Sequence, residues 1–185
     1  SGNIHLLYFG AEHGSAEKIK QLENIFKTAG IESHLSGNII QTIWEKFIFL
    51  SPIASLTSFL DLSIGAILDD DEHKKMLHHL ISELKNIAEA KEIVLSENII
   101  QNTIKKMAAL HYETTSSMHN DFARGSKTEI NSITGYVIKC GKEMNVPTPV
   151  YEKIIAGLQE KKNIKLYLQA MDQMRLLEDM IIILN

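Results

Sequence analysis

Cysteine is nearly absent. Cys140 is the single one among 185 residues, so no internal disulfide can form and nothing argues for an oxidising compartment. It lies in an apolar-periodic stretch with Tyr136 and Val137, and no helix N-terminus marks it as a thiolate, which makes it a small core residue. Glycine clusters are missing as well. The ten glycines are scattered singly, with no G-x-G-x-x-G and no P-loop, so no phosphate-cradling turn is visible and this chain alone should not hold a dinucleotide tightly. There is no basic excess. The net charge is -4 and the pI about 6.1, and the basic pair Lys161-Lys162 reads as a solvated turn. Nucleic acid and anionic membrane surfaces are therefore not expected partners. The eight histidines form no H-E-x-x-H pattern. Asp70 and His73 share a helical face and His78-His79 follow, but an acidic helix start and exposed imidazoles account for these residues, and no metal is expected. No signal peptide opens the chain. The most apolar stretch, Phe47 to Leu68, is long enough to span a bilayer. Pro52, Asp61, Gly65 and five Ser/Thr hydroxyls interrupt it, and the mean hydropathy of -0.06 suits buried helices, with a cytoplasmic location.

What is present is the balance of a globular protein: 44% hydrophobic and 23% charged residues, enough for a full core. The first forty residues differ in kind from the rest. Ile4 to Phe9 reads as a strand. Ser15 to Ala29 carries Ile19, Leu22, Ile25 and Phe26 at helical spacing, with Ser15 as N-cap and Gly30 as the stop. Ile31 to Leu35 reads as a second strand. Strand, helix and strand make a βαβ unit, whose usual home is a larger parallel sheet. Two parallel strands expose edges, so the segment is expected to be the tail of a domain truncated just upstream, or to rest on the helices or on another copy of the chain. From Ile39 onward the pattern is helical. Helices are expected over Ile39 to Phe49 and, after a bend at Pro52, Ala54 to Leu60; over Asp69 to Lys91; over Glu97 to Tyr112; over Ser126 to Met144; and, after the Pro147-Pro149 turn, over Val150 to Gln159 and Ile164 to Leu184. The last of these carries an apolar stripe at Met171, Met174, Leu177, Ile181 and Leu184, suited to core packing or to dimerisation.

Few residues suggest chemistry. Lys46 lies among apolar neighbours in Ile43-Trp44-Glu45-Lys46-Phe47-Ile48-Phe49-Leu50, so it either snorkels to solvent or is held in a cleft, where partial desolvation can tune an amine for proton transfer. Ser126 and Glu129 fit a capping box opening the long helix. The hydroxyls of Thr114 to Ser117 fit turn chemistry. Gly135 and Gly141 mark close helix packing.

These segments resemble the ketopantoate reductase (2-dehydropantoate 2-reductase) family from the first residues to about Gln159. The resemblance rests on Ala29-Gly30-Ile31 leading to Ile43-Trp44-Glu45-Lys46; on Ser116-Ser117-Met118-His119-Asn120-Asp121; on Gly125, Thr128-Glu129-Ile130 and Gly135; and on Gly141 with Val146-Pro147-Thr148-Pro149. It implies a mainly α fold: a helical C-terminal domain of the 6-phosphogluconate-dehydrogenase-like type over 39-185, preceded over 1-38 by a remnant of an NADP-binding Rossmann domain. It further implies that the parent is an NADPH-dependent oxidoreductase converting a small 2-oxo acid, such as ketopantoate in pantothenate biosynthesis, to the 2-hydroxy acid. This chain alone would be inactive. By resemblance Lys46 takes the position of the catalytic lysine, Ser117 that of a substrate-binding serine, and Glu129 that of a glutamate near the lysine and the cofactor ribose. The three are expected to converge at one cleft. The family also places asparagines four and eight residues after the lysine; here those positions hold Leu50 and Ala54. Two other readings therefore stay open: a reductase for a different, less polar 2-oxo acid, and a non-catalytic helical module for homodimerisation or interaction.

Overall fold

The computed structural model describes residues 6-13 and 16-183, with few side chains described beyond Ile164. The chain runs β1 (Leu7–Phe9), α1 (Ala16–Thr28), β2 (Ser33–Leu35), α2 (Ile39–Leu60), α3 (Ile64–Asp69), α4 (Asp71–Ala90), α5 (Ile99–Ala108), α6 (Ser117–Arg124), α7 (Ile130–Met144) and α8 (Pro149–Ile183). It is a mainly helical fold behind a short βαβ unit. β1 and β2 pair in parallel, Tyr8 opposite His34. The turn out of α1 uses Gly30 at φ +70°, with the Ile31 amide returning to the Phe26 carbonyl at 2.9 Å. The expected Ser15 cap and the start of the first strand at Ile4 lie outside the described residues.

α2 is the axis of the helical part. It is long and apolar enough to cross a membrane, yet α4, α6, α7 and α8 pack around it and its residues from Ser51 to Ser58 are all buried. Asn38 caps it through the Gln41 amide at 3.1 Å. α4 supplies the opposing apolar stripe: Leu77, Leu80, Ile81, Leu84 and Ile87 recur at spacings of three and four and are at most 1% exposed, as a core-facing helix requires. Met107, Met118, Val137, Cys140, Tyr151, Ile154 and Leu158 close the core from α5 to α8.

Several expected boundaries move, each for a local reason. α2 is one helix, because Pro52 sits within it without ending it. Asp70, not Asp69, caps α4, accepting from the His73 amide at 2.8 Å; Asp69 ends the separate helix α3. α5 is shorter than its apolar pattern at both ends, with Asn98 left-handed before it. The capping box at Ser126 does not form. The Ser126 amide instead bonds the Asp121 carbonyl at 2.9 Å and the Gly125 amide the Phe122 carbonyl at 3.1 Å, which is a Schellman close to α6. α7 then begins at Ile130, with Glu129 at the N-cap and no side-chain cap bond. α8 continues unbroken through Lys161-Lys162, where a turn was expected. The Lys161 ammonium reaches across to the Phe59 carbonyl at the end of α2, 2.6 Å away, giving that orphan acceptor a charged donor.

Gly141 closes α7 tightly onto its own turn. A Cβ there would stand 2.7 Å from both the Val146 carbonyl oxygen and the Thr148 Cγ2. Because one of the two obstacles is backbone, Gly141→Ala should cost about 1–3 kcal/mol, read as a lower urea midpoint at unchanged slope.

Candidate active site

The hydroxyls that interrupt the apolar run of α2 bind the neighbouring helices to it. Ser51 pairs with the Tyr151 hydroxyl of α8 at 3.0 Å. Ser55 pairs with Thr134 of α7 at 2.9 Å. Thr57 donates to its own Ile53 carbonyl at 2.7 Å and meets Ser116, the N-cap of α6, at 3.0 Å. Ser58 returns to the Ala54 carbonyl at 2.7 Å. Burial holds the Tyr151 phenol far above its ordinary value, against the opposing pull of the Ser51 hydrogen bond, so it stays a neutral partner.

Lys46 stands on the N-terminal half of α2 and is exposed. By helical geometry Ile43, Lys46 and Leu50 lie within an arc of roughly 60°, and both aliphatic chains are uncovered, 53% and 40% exposed. Ala54 continues the same side and is buried. Thr57 ends it, and there Ser116 seats the start of α6. Ser117, the first residue of α6, is exposed next to that contact. It therefore belongs to the Lys46 side of α2, about 16 Å further along the axis at about 1.5 Å per residue. Glu129 is exposed at the head of α7. That helix meets α2 through Thr134 and Ser55, roughly half a turn of helix from Lys46, and through Tyr136 and Phe47, whose ring centroids are 5.7 Å apart. Among the described residues none of the three side chains forms a hydrogen bond or ion pair with another. Contacts carry the Ser117 helix to the lysine's face; none carries Glu129 there.

Three residues that spacing did not single out organise this region. Ser116 caps the His119 amide at 3.0 Å while holding Thr57, so one hydroxyl both starts α6 and docks it. Ser116→Ala should cost about 1–2 kcal/mol, seen as faster amide exchange over residues 117-120. The S-x-x-H spacing carried no capping signal strong enough to prefer Ser116 over its hydroxyl neighbours. His119 then reaches Asp61, at the C-cap of α2, through Nε2 at 2.8 Å. Glu45, beside Lys46, receives the Ser96 hydroxyl, the Ser96 amide and the Gln41 amide. Partial burial pushes its carboxyl up, but these hydrogen bonds and the nearby Lys106 charge outweigh it and hold the carboxyl below its ordinary value. Glu45 is thus an ionised anchor for the segment entering α5 and is not a free base.

The described residues contain no cradle for a dinucleotide's phosphates. Gly10 packs on Ile39 with a would-be Cβ 2.9 Å from that residue's own, Gly30 turns out of α1, and Gly37 precedes the Asn38 cap. None of these opens a helix as a phosphate-binding turn does.

Among curated relatives, an uncharacterized oxidoreductase, YkpB, of Bacillus subtilis is 28% identical over 156 residues, covering 84% of this chain and 52% of that protein. A 2-dehydropantoate 2-reductase of Halobacterium salinarum is 26% identical over 133 residues, covering 72% of this chain and 44% of that protein. The chain thus spans about half the length of the curated relatives it matches. Among solved structures, a PanE/ApbA family ketopantoate reductase from Ralstonia eutropha superposes with TM-score 0.74 at 22% identity, over 87% of this chain and 52% of that one. A D-mandelate dehydrogenase in complex with NADH superposes with TM-score 0.75 at 21% identity, over 85% and 54% of the two chains. These superpositions speak for the fold. The family model described as ketopantoate reductase PanE/ApbA C terminal matches residues 38–162, most of the chain, and the protein therefore belongs to the ketopantoate reductase family, whose helical C-terminal domain it carries.

Proposed function

We propose that this chain is the substrate-side domain of an NADPH-dependent reductase of 2-oxo acids, ketopantoate or a less polar relative of it. Residues 1-38 are then the end of the cofactor domain and 39-185 the helical domain. The observation that carries the reading is Lys46: an exposed ammonium without a partner among the described residues, on the one face of α2 that is not covered in its N-terminal half and along which the head of α6 is seated.

When bound, the nicotinamide supplies a hydride to the ketone carbon. The chain's own residues handle what that leaves behind. Negative charge grows on the ketone oxygen, and a hydrogen bond from the Lys46 Nζ stabilises it and can deliver the proton. Such a bond is worth most in the transition state, where the oxygen is most anionic. The Ser117 hydroxyl, at the α6 end of the same face, makes no hydrogen bond among the described residues and is placed to bind the substrate. Glu129 offers a carboxylate for a ribose hydroxyl of the cofactor; it makes no side-chain hydrogen bond among the described residues. The exposed Ile164, Tyr167 and Met171 recur at spacings of three and four on α8, and a ketopantoate reductase of similar fold from Staphylococcus aureus is described as dimeric; a homodimer through α8 accompanies this reading.

The test is nicotinamide absorbance in the full-length protein containing this domain, with NADPH or NADH and a panel of 2-oxo acids. Turnover of at least one acid is expected. Silence across the panel, with correctly folded protein and bound cofactor, would leave a non-catalytic helical module instead.

A further inference from the structure

Past Lys46, α2 offers a substrate nothing polar that is free. Its hydroxyl, amide and carboxylate side chains all have protein partners already. Gln41 binds Glu45 and Glu45 binds Ser96. Thr42 binds Ser36 at 2.7 Å. Ser51, Ser55 and Thr57 bind Tyr151, Thr134 and Ser116, and Ser58 is turned back on its own backbone. What flanks the ammonium on its own face is aliphatic: Ile43 one turn before and Leu50 one turn after, both large chains left in solvent.

We infer that Leu50 sets the substrate class, and that the substrate is a 2-oxo acid whose arm beyond the ketone is apolar, branched alkyl or aryl. This rests on the proposed function above. With its oxo group at Lys46, a substrate lying along α2 toward α6 places the atoms beyond the ketone against the exposed Leu50. An apolar arm there covers the exposed leucine and loses no hydrogen bond. A hydroxylated arm gives up its water and finds no partner on this helix, since an apolar wall rejects an added hydroxyl by a moderate factor.

A matched pair isolates the effect: 3,3-dimethyl-2-oxobutanoate and ketopantoate share their carbon skeleton and differ by one terminal hydroxyl. The experiment measures kcat/KM for both acids, and for phenylglyoxylate, in the full-length protein at saturating NADPH, for wild type and Leu50→Asn. The expected wild-type preference is for the acid without the hydroxyl, by about 10- to 100-fold. Leu50→Asn, which supplies an amide at that point, should lower the ratio by about tenfold or more. A wild-type preference for ketopantoate, or a ratio unmoved by a folded Leu50→Asn, overturns the inference while the reductase reading stands. No turnover of any acid removes both. Should the variant fail to fold, the wild-type ratio decides alone.

Discussion

Lys46→Ala in the full-length protein should lower kcat/KM for the best 2-oxo acid by about 10²–10⁴-fold, the usual contribution of one positioned proton donor. The loss should fall mainly on kcat. The interaction removed is made by an oxygen that is only weakly negative in the bound ketone and becomes an alkoxide as hydride arrives, so substrate affinity changes little. Lys46→Arg should recover part of the binding but little of the rate, because a guanidinium keeps its proton and its planar fork places its donors elsewhere. Thermal stability should stay within about 0.5 kcal/mol of wild type, since the side chain is exposed and, among the described residues, unpaired. A Lys46→Ala enzyme as active as the parent would end the assignment.

The second large effect is structural and concerns a residue without any motif. Glu83 is 7% exposed in α4, and its two carboxylate oxygens accept from the Val150 amide at 2.9 Å and the Tyr151 amide at 3.2 Å. Those are first-turn donors of α8, behind Pro149, which has no N–H to satisfy. A side chain from another helix thus caps α8 and meets the positive end of its dipole. Glu83→Ala strands both amides and should cost about 2–4 kcal/mol, a fall in Tm of roughly 5–15 °C for a chain of this size. Glu83→Gln keeps one acceptor and should cost about 1 kcal/mol. The pH dependence has a definite sign. Burial raises the Glu83 carboxyl above its ordinary 4.5, against the two amide hydrogen bonds and the nearby His79. Between the ordinary and the raised value the folded state binds more protons than the unfolded one. Stability from this group is therefore full below the ordinary value and declines as pH rises through the raised one. Urea titrations across that window should find this component of the slope in wild type and missing in Glu83→Gln; equal slopes would refute it.

The helical fold was legible because α4 writes its buried stripe at spacings of three and four, and because the helix of the βαβ unit ends in a glycine stop that the folded chain uses. Helix ends were less legible. Ser126-x-x-Glu129 spells a capping box, but Gly125 closes α6 with the Ser126 amide, and a donor committed backwards cannot help start α7. The break expected near Lys161-Lys162 does not occur, since adjacent lysines signal exposure and one of them is used to reach Phe59. For the site, the resemblance named Lys46, Ser117 and Glu129, and helical geometry relates the first two. The partners that position α6, Ser116 with Thr57 and His119 with Asp61, are 59 and 58 residues apart in sequence. No local pattern announces a pairing of that range. The tertiary cap by Glu83, 67 positions from Val150, was invisible for the same cause.

The three hydroxyls of α2 that engage α8, α7 and α6 act together as a key cut for three locks. Turning α2 by a single residue would swing its side chains through about 100° and disengage Ser51, Ser55 and Thr57 at once, leaving buried hydroxyls unpaired. The azimuth of the lysine is thereby dictated from one to three turns away, by groups that need never meet a substrate.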